Sequence, residues 1–391
     1  MAEYDVVVAG GGHSGLIAAA YLAKAGVNVC VVEKQPYVGG GAVTREVTGP
    51  GFKQDIASTG HIFIQTNPLI LNDELKLLSK YGLKYVYPEV MTSVVFPDER
   101  AMIFYKDVDK TCASIEKFSK KDAEVYSRFH DQAIGLLDML VAGMYSPPPP
   151  FGAFVSMLDQ NEEGQELLRN LMMSGLDICN DWFESDEVKM VGTRFVSEGM
   201  MDPQVQGTGL NLILFIGIIH KYGWGVPIGG SGALSDALAR CIEYHGGTVK
   251  TSSTVKSFKV EGGEAKGIVL DTGEEILAKK AVVTNFNIMQ LPEMVGEQNL
   301  PAGFPTKVSR LRHDSYQALH QVLALNEAPK YKAGLQGHEA CFVQFIPGTL
   351  EEHLRVFDNY KYGIPVTNSS LAICWTPVDP SRAPAGKHTL Y

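Results

Sequence analysis

The first forty residues constrain this chain more than any other stretch. Tyr4 to Ala9 (YDVVVA) is a β-branched run of the kind that forms a fully buried parallel strand. Gly10-Gly11-Gly12-His13-Ser14-Gly15 follows and fits G-x-G-x-x-G, Leu16 to Lys24 reads as a helix ended by Gly26, and Val27 to Glu33 (VNVCVVE) predicts a second buried strand. In such a strand, turn, helix, strand unit each position has a mechanical task. Gly10 permits the tight turn, Gly12 lets a pyrophosphate approach the backbone, and Gly15 lets helix and strand pack closely. The helix N-terminus, with His13 and Ser14 in its first turn, presents N–H donors to phosphates. Glu33 ends the second strand 18 residues after Gly15, where a carboxylate can accept hydrogen bonds from an adenosine ribose, and Lys34 follows it. The adenosine end of a dinucleotide is expected here.

A second glycine cluster, Gly39-Gly40-Gly41-Ala42, comes just past Glu33, where an NAD domain needs none. An acidic strand end, then a Gly-Gly turn with Arg or Ala, then Thr (here Thr44) resembles the flavoprotein pattern. That resemblance implies FAD, with Gly40, Gly41, Ala42 and Thr44 running along it. The alternative is that Gly39–Gly41 is only a surface loop.

Two further segments resemble one branch of flavoproteins. GPGFKQDIASTGHIF (Gly49–Phe63) and GWGVPIGGSGALSDALARCIEYHGGTVKTSSTVKSF (Gly223–Phe258) are similar to the phytoene desaturase-like family, which includes carotenoid desaturases and isomerases, retinol saturase and related proteins. The resemblance implies an α/β fold: an FAD-binding Rossmann-like domain of the glutathione reductase/amine oxidase type, with an inserted α+β substrate domain. The expected boundaries are 1–70 and 223–290 for the FAD domain, 71–222 and 291–391 for the substrate domain. It also implies that Ser58 and Thr59 run beside the flavin, that Val255 lends its backbone to the adenine, and that Asn285 lies over the FAD.

The residues of these regions carry their own signals. Leu234 to Tyr244 has apolar residues at helical spacing, with Ser231 as a candidate N-cap and Gly246 as the stop. Segments 247–250, 254–260, 265–270 and 274–277 alternate with turn signals and predict an antiparallel meander, after which Ala281–Asn285 predicts a separate strand returning to the parallel sheet. In the middle of the chain, Ser119 precedes a helical pattern (Val125, Phe129, Ala133, Leu136, Leu137, Leu140) that Pro147–Pro150 interrupts.

Composition narrows the function classes. Hydrophobic residues are 45% and charged residues 20% of 391, so a sizeable core is expected. The net charge of −10, without a basic block, argues against nucleic acid. Six scattered cysteines with no C-x-x-C pair predict reduced, mostly buried thiols and a cytoplasmic protein. No apolar run is long enough to span a bilayer; Leu212–Ile219 reads as a buried helix, the lining of a lipophilic tunnel, or a face resting on a membrane. His320, His338 and His353 have no ligand spacing, so no metal is expected.

The chemistry the family implies is FAD-dependent desaturation or saturation of a carbon–carbon bond of a hydrophobic organic substrate, by hydride transfer to flavin N5. No compact catalytic signature accompanies it. His61, His220 and Tyr222 are the candidates, each with a purely structural alternative. Two other readings are a flavin amine oxidase, over which the block Gly223–Leu234 favours the desaturase branch, and a non-catalytic, prenyl-binding escort protein of Rab GTPases, against which intact Gly10, Gly12, Gly15 and Glu33 argue. Family members continue past the equivalent of Tyr391, and Pro384–Tyr391 reads as a strand just beginning whose edge would be unpaired. A second polypeptide completing the FAD site is therefore expected.

Overall fold

A computed structural model describes residues 2–312 and 318–391. Its centre is the strand Ala2–Ala9, which pairs in parallel with Val29–Val32 on one side and with Glu275–Thr284 on the other. Thr248–Lys250 extends the parallel edge beyond Val29–Val32, and Glu264–Leu270 and Val255–Glu261 add two antiparallel strands at the opposite edge. Strand side chains alternate between faces, and here they do so cleanly. Val6, Val8, Val29 and Val31 meet the helices His13–Lys24 and Gly232–Tyr244 through Leu16, Ala19, Ala20, Ala23, Leu234, Ala237 and Leu238. Val7, Ala9, Cys30 and Val32 face the other way, onto Phe258, Ile268 and Ile276.

The meander departs from the sequence expectation in two respects. Thr248–Lys250 belongs to the parallel part of the sheet, and Glu275–Thr284 is one ten-residue strand rather than two. Glu275, Ile276 and Leu277 pair with Glu264–Leu270, and the strand from Ile276 to Thr284 pairs with Ala2–Ala9 across a register shift between Tyr4 and Val6. Lys279 and Lys280 break the apolar pattern and so read as an interruption. In the fold they stay in the strand, facing Glu3 and Asp5 of its neighbour at 3.2 and 3.4 Å.

A second sheet, in the order Ser370–Ile373, Phe342–Phe345, Val90–Val95, Ala101–Tyr105, draws on both the first and the last third of the chain. Helices between residues 108 and 222 pack against it. The longest, Lys120–Met144, starts where Ser119 Oγ accepts from the Asp122 N–H at 3.1 Å. The buried Asp122 carboxylate accepts from the N–H groups of Glu184 and Ser185 at 2.9 and 2.8 Å, which ties that start to a neighbouring loop. Helix Gly209–Tyr222 runs through the core, with Leu212, Ile213, Phe215, Ile216, Ile218 and Ile219 all buried. Each such side chain contributes about 1.5–3 kcal/mol. A helix enclosed on every side presents no face to a bilayer, so the membrane-contact reading of this stretch is withdrawn. Among the described residues, no helix is long and apolar enough to cross a membrane.

The cysteines are free, five of them buried and Cys112 half-buried. His388–Leu390 forms the strand foreseen there, and it is paired: antiparallel to Leu323–Leu325, while Tyr391 exchanges two backbone hydrogen bonds with Ile373 at 2.9 Å. The unpaired edge expected at this position is not found.

Candidate functional site

The ends of the strands Ala2–Ala9, Val29–Val32 and Glu275–Thr284 converge on one rim of the sheet. Gly10 turns the chain there with φ +103°. Asn285 continues the neighbouring strand, its N–H bonded to Ala9 O at 2.8 Å, and its side chain lies across the turn with Nδ2 3.5 Å from Gly10 O. A Cβ on Gly15 would stand 2.6 Å from Gly10 O and 2.8 Å from Asn285 Nδ2, so this helix approaches the turn only because residue 15 has no side chain. Gly12 caps the helix His13–Lys24 without a side-chain acceptor. His13 N–H turns to Gly39 O, so the N–H groups of Ser14 and Gly15 and the positive end of the dipole are what is left for an anion.

Glu33 stands at the rim, half-buried, accepting from the N–H groups of Gly11 and Gln35 at 2.7 and 2.8 Å. The exposed Lys34 is next to it. Ser253 N–H bonds to Glu33 O at 2.8 Å, which brings the loop before Val255 against the same corner; Val255 itself opens the strand Val255–Glu261.

Gly39–Thr44 forms the second wall. Gly39 exchanges backbone bonds with the first turn, Gly39 N–H to Gly11 O at 2.8 Å and His13 N–H to Gly39 O at 3.3 Å. Ala42 O accepts from Ser235 Oγ at 2.7 Å, and Ser58 N–H bonds to Gly41 O at 3.0 Å. Gly41 is informative because it has neither a left-handed φ nor any atom within 4 Å of where its Cβ would be. Among the described residues nothing requires glycine there, whereas a ligand lying along this loop would. With the uncapped helix and the carboxylate at the rim, this makes a cradle that fits FAD. Gly10, Gly12, His13, Ser14 and Gly15 would hold the pyrophosphate side, Glu33 the ribose, and Gly40, Gly41 and Ala42 the length between them.

The N-terminus of helix Gly232–Tyr244 is closed by contrast. Ser231 N–H donates to Asp55 Oδ1 at 2.8 Å, Gly232 N–H to Thr44 Oγ1 at 2.9 Å, and Gly229 N–H to Asp379 Oδ2 at 2.7 Å. Thr44 Oγ1 in turn donates to Asp55 Oδ1 at 2.6 Å. Ser231 occupies the cap position but makes no capping bond, because its hydroxyl is bonded to His61 Nε2 at 2.7 Å.

His61 has no exposed surface, and both ring nitrogens are engaged, Nδ1 with Tyr85 Oη at 2.7 Å and Nε2 with Ser231. Burial pushes its pKa down to about 4, against the opposing pull of Asp55. A neutral imidazole held at both ends positions its neighbours, and taking a substrate proton would require one of these bonds to break. His220 is similarly enclosed. Nδ1 donates to Lys106 O at 3.0 Å and Nε2 accepts from Tyr126 Oη at 2.9 Å, with burial again lowering the pKa to about 4. Tyr222 is half-buried against the helical core. Among the described residues, no hydrogen bond or ring contact joins His61 to His220 or Tyr222, so the three do not form one constellation.

Several side chains here escaped the sequence reading. Thr59 Oγ1 accepts from Trp375 Nε1 at 2.9 Å, and Gly60 packs against the Trp224 indole. From these a file of rings runs into the helical layer: Trp375 to Phe342 at 5.9 Å between centroids, Phe342 to Trp224 at 4.4 Å, Trp224 to Phe215 at 6.1 Å, and Phe215 to Phe195 at 5.0 Å. All five are buried. Asp55, Asp379 and Arg382 were missed as well. Asp55 lies inside the segment Gly49–Phe63, but no spacing links it to Arg382, 327 positions away; the Asp-Pro-Ser-Arg turn at 379–382 was the available signal. Among the described residues, no group of three or more His, Cys, Asp or Glu is arranged to hold a metal.

Comparisons with known proteins point to a flavin enzyme. The family model described as flavin containing amine oxidoreductase matches residues 13–285, more than half of the chain. The pyridine nucleotide-disulfide oxidoreductase domain-containing protein 2 of Rattus norvegicus is 29% identical over 430 residues, covering 99% of this chain and 72% of its own. A limonene dehydrogenase subunit of Castellaniella defragrans is 26% identical over 398 residues, covering 98% of this chain and 71% of its own. A redesigned putrescine oxidase shares the fold with a TM-score of 0.59 at 17% identity, over all of this chain and 74% of that one.

Proposed function

We propose, from the premise that the chain belongs to the flavin containing amine oxidoreductase family, that this FAD-dependent oxidoreductase acts across a carbon–carbon bond of a hydrophobic organic substrate. The carrying observation is the buried file of rings, Trp375, Phe342, Trp224, Phe215 and Phe195, that begins at Thr59 and Gly60. When bound, FAD supplies a flavin N5 able to take up a hydride. The chain's own residues supply the surroundings. The glycine turns and the helix N-terminus bind and orient the dinucleotide, and the rings pack an apolar, water-free layer behind Thr59 and Gly60, a setting suited to a substrate without charge. His61 holds Ser231 and Tyr85 in place.

The relative named as a limonene dehydrogenase supports this substrate class, and its being one subunit of that enzyme supports the further proposal that a second polypeptide takes part. The test is anaerobic mixing of the FAD-loaded protein with a terpene hydrocarbon, an isoprenoid polyene or a diamine. Bleaching of the oxidised flavin band by a hydrocarbon and not by the diamine is expected. Bleaching by the diamine alone would replace this reading with an amine oxidase.

A further inference from the structure

Arg382, Asp55 and Asp379 form an ion cluster whose side chains are 1–3% exposed. The guanidinium uses its whole fork: Nη1 to Asp55 Oδ2 at 2.7 Å, Nε to Asp379 Oδ2 at 2.9 Å, and Nη2 to Pro227 O at 2.9 Å. The two carboxylates then reach past it to the backbone. Asp55 Oδ1 takes the Ser231 N–H and the Thr44 hydroxyl, and Asp379 Oδ2 takes the Gly229 N–H. Asp379 Oδ1 is occupied by Ser381 Oγ at 2.6 Å, so the second carboxylate is held from its own side too.

A buried ion cluster is a poor device for stability alone, since apolar replacements of the same volume often hold a fold as well or better. What this cluster does is place backbone. It fixes the Gly229–Gly232 turn and, through Thr44, the end of the Gly39–Thr44 loop. The same last residues also fasten the strip that precedes His61. Lys53 N–H donates to Arg382 O at 2.8 Å, Tyr391 Oη to Ala57 O at 2.9 Å, and Trp375 Nε1 to Thr59 Oγ1 at 2.9 Å. Segments from the beginning, the middle and the last part of the chain thus meet on one guanidinium. Lysine cannot reproduce this, because a single ammonium does not present a planar fork to three acceptors.

We propose that Arg382 is a positioning residue of the dinucleotide cradle, holding Asp55 and Asp379 so that the Thr44 loop and the Gly229–Gly232 turn keep their places along bound FAD. The proposal rests on the assignment of FAD to the cradle. The experiment uses the full chain as apo-protein and titrates it with FAD by flavin fluorescence quenching, for wild type, Arg382→Lys and Arg382→Gln. The thermal midpoint of each apo form is measured alongside.

The glutamine variant is expected to raise the Kd for FAD by about tenfold or more, since two carboxylates lose their buried partner. The lysine variant is expected to fall between it and wild type. The bound flavin's visible band should lose vibronic structure in both, a change that a role in stability alone would not cause. A folded variant with a wild-type Kd and band shape overturns the proposal, whatever its thermal midpoint. Should neither Arg382 variant fold, Asp379→Asn keeps an oxygen for the Gly229 N–H while removing the charge, and is expected to raise the Kd by about threefold. An unchanged Kd in that variant also overturns it. A wild-type protein that binds no FAD would instead defeat the cofactor assignment, and the two failures are told apart by that control.

Discussion

Gly41→Ala and Gly15→Ala, taken together, separate a glycine needed by the fold from one needed by the ligand. At Gly15 an added methyl would lie 2.6 Å from Gly10 O and 2.8 Å from Asn285 Nδ2, both closer than real Cβ contacts. The helix must shift off the turn, at a cost of about 1–3 kcal/mol for overpacking. At Gly41 the methyl meets no atom within 4 Å and the backbone is not left-handed. The only effect on the apo-protein is then a restricted unfolded chain, worth about 0.4–1 kcal/mol in favour of folding. If FAD lies along this loop, the same methyl intrudes on it and affinity falls by about tenfold, or about 1.4 kcal/mol. Thermal melting of the two apo variants reads the first quantity, and FAD titration by fluorescence quenching reads the second. Gly41→Ala with apo stability and FAD affinity both equal to wild type would refute the placement of the dinucleotide along Gly39–Thr44.

Further outcomes follow from the same geometry. Glu33→Ala removes the acceptor of the Gly11 and Gln35 N–H groups as well as the ribose partner; FAD retention through gel filtration should fall about tenfold, and unchanged flavin content would count against the ribose assignment. His220→Phe leaves Tyr126 Oη and Lys106 O without their partner and should lower the thermal stability by about 1–3 kcal/mol. Because His220 touches nothing in the cradle, FAD affinity should not change; a large loss of affinity would bring it back as a site residue. Burial lowers the pKa of His61 and His220 from 6.5 to about 4 and of His353 to about 3. The unfolded chain therefore binds more protons across this window, so stability is at its full value above about pH 6.5 and is lost as pH falls toward 4, by at most roughly 3 kcal/mol per histidine. A thermal midpoint flat between these pH values would contradict the burial of all three.

Local chemistry made part of this legible in the sequence. The Gly10–Gly15 turn, the strand ending at Glu33 and the helix stopped by Gly246 follow from short-range rules, because a tight turn or a positive φ depends on neighbouring residues alone. Glu275–Thr284 was misread where Lys279 and Lys280 are satisfied by acids on another strand, information that periodicity does not hold. Ser231 takes the cap position its sequence context indicates, but its hydroxyl is bonded to a distant imidazole, which local rules do not reveal. Asp55, Asp379 and Arg382 stayed hidden for the same reason on a larger scale: each is an ordinary polar residue in its own segment, and only the closed fold makes them partners. His61 and His220 drew attention as titratable groups, whereas their burial and saturated hydrogen bonding are tertiary facts.

The most direct measurement is the cofactor content of the folded chain. Purified protein equilibrated with excess FAD and freed of unbound flavin should carry one FAD per chain, identified by its absorption spectrum and by the mass of the released dinucleotide. A folded, colourless protein that retains no flavin would contradict the account, because the glycine cradle, the open helix N-terminus and Glu33 would then have been assigned to the wrong ligand.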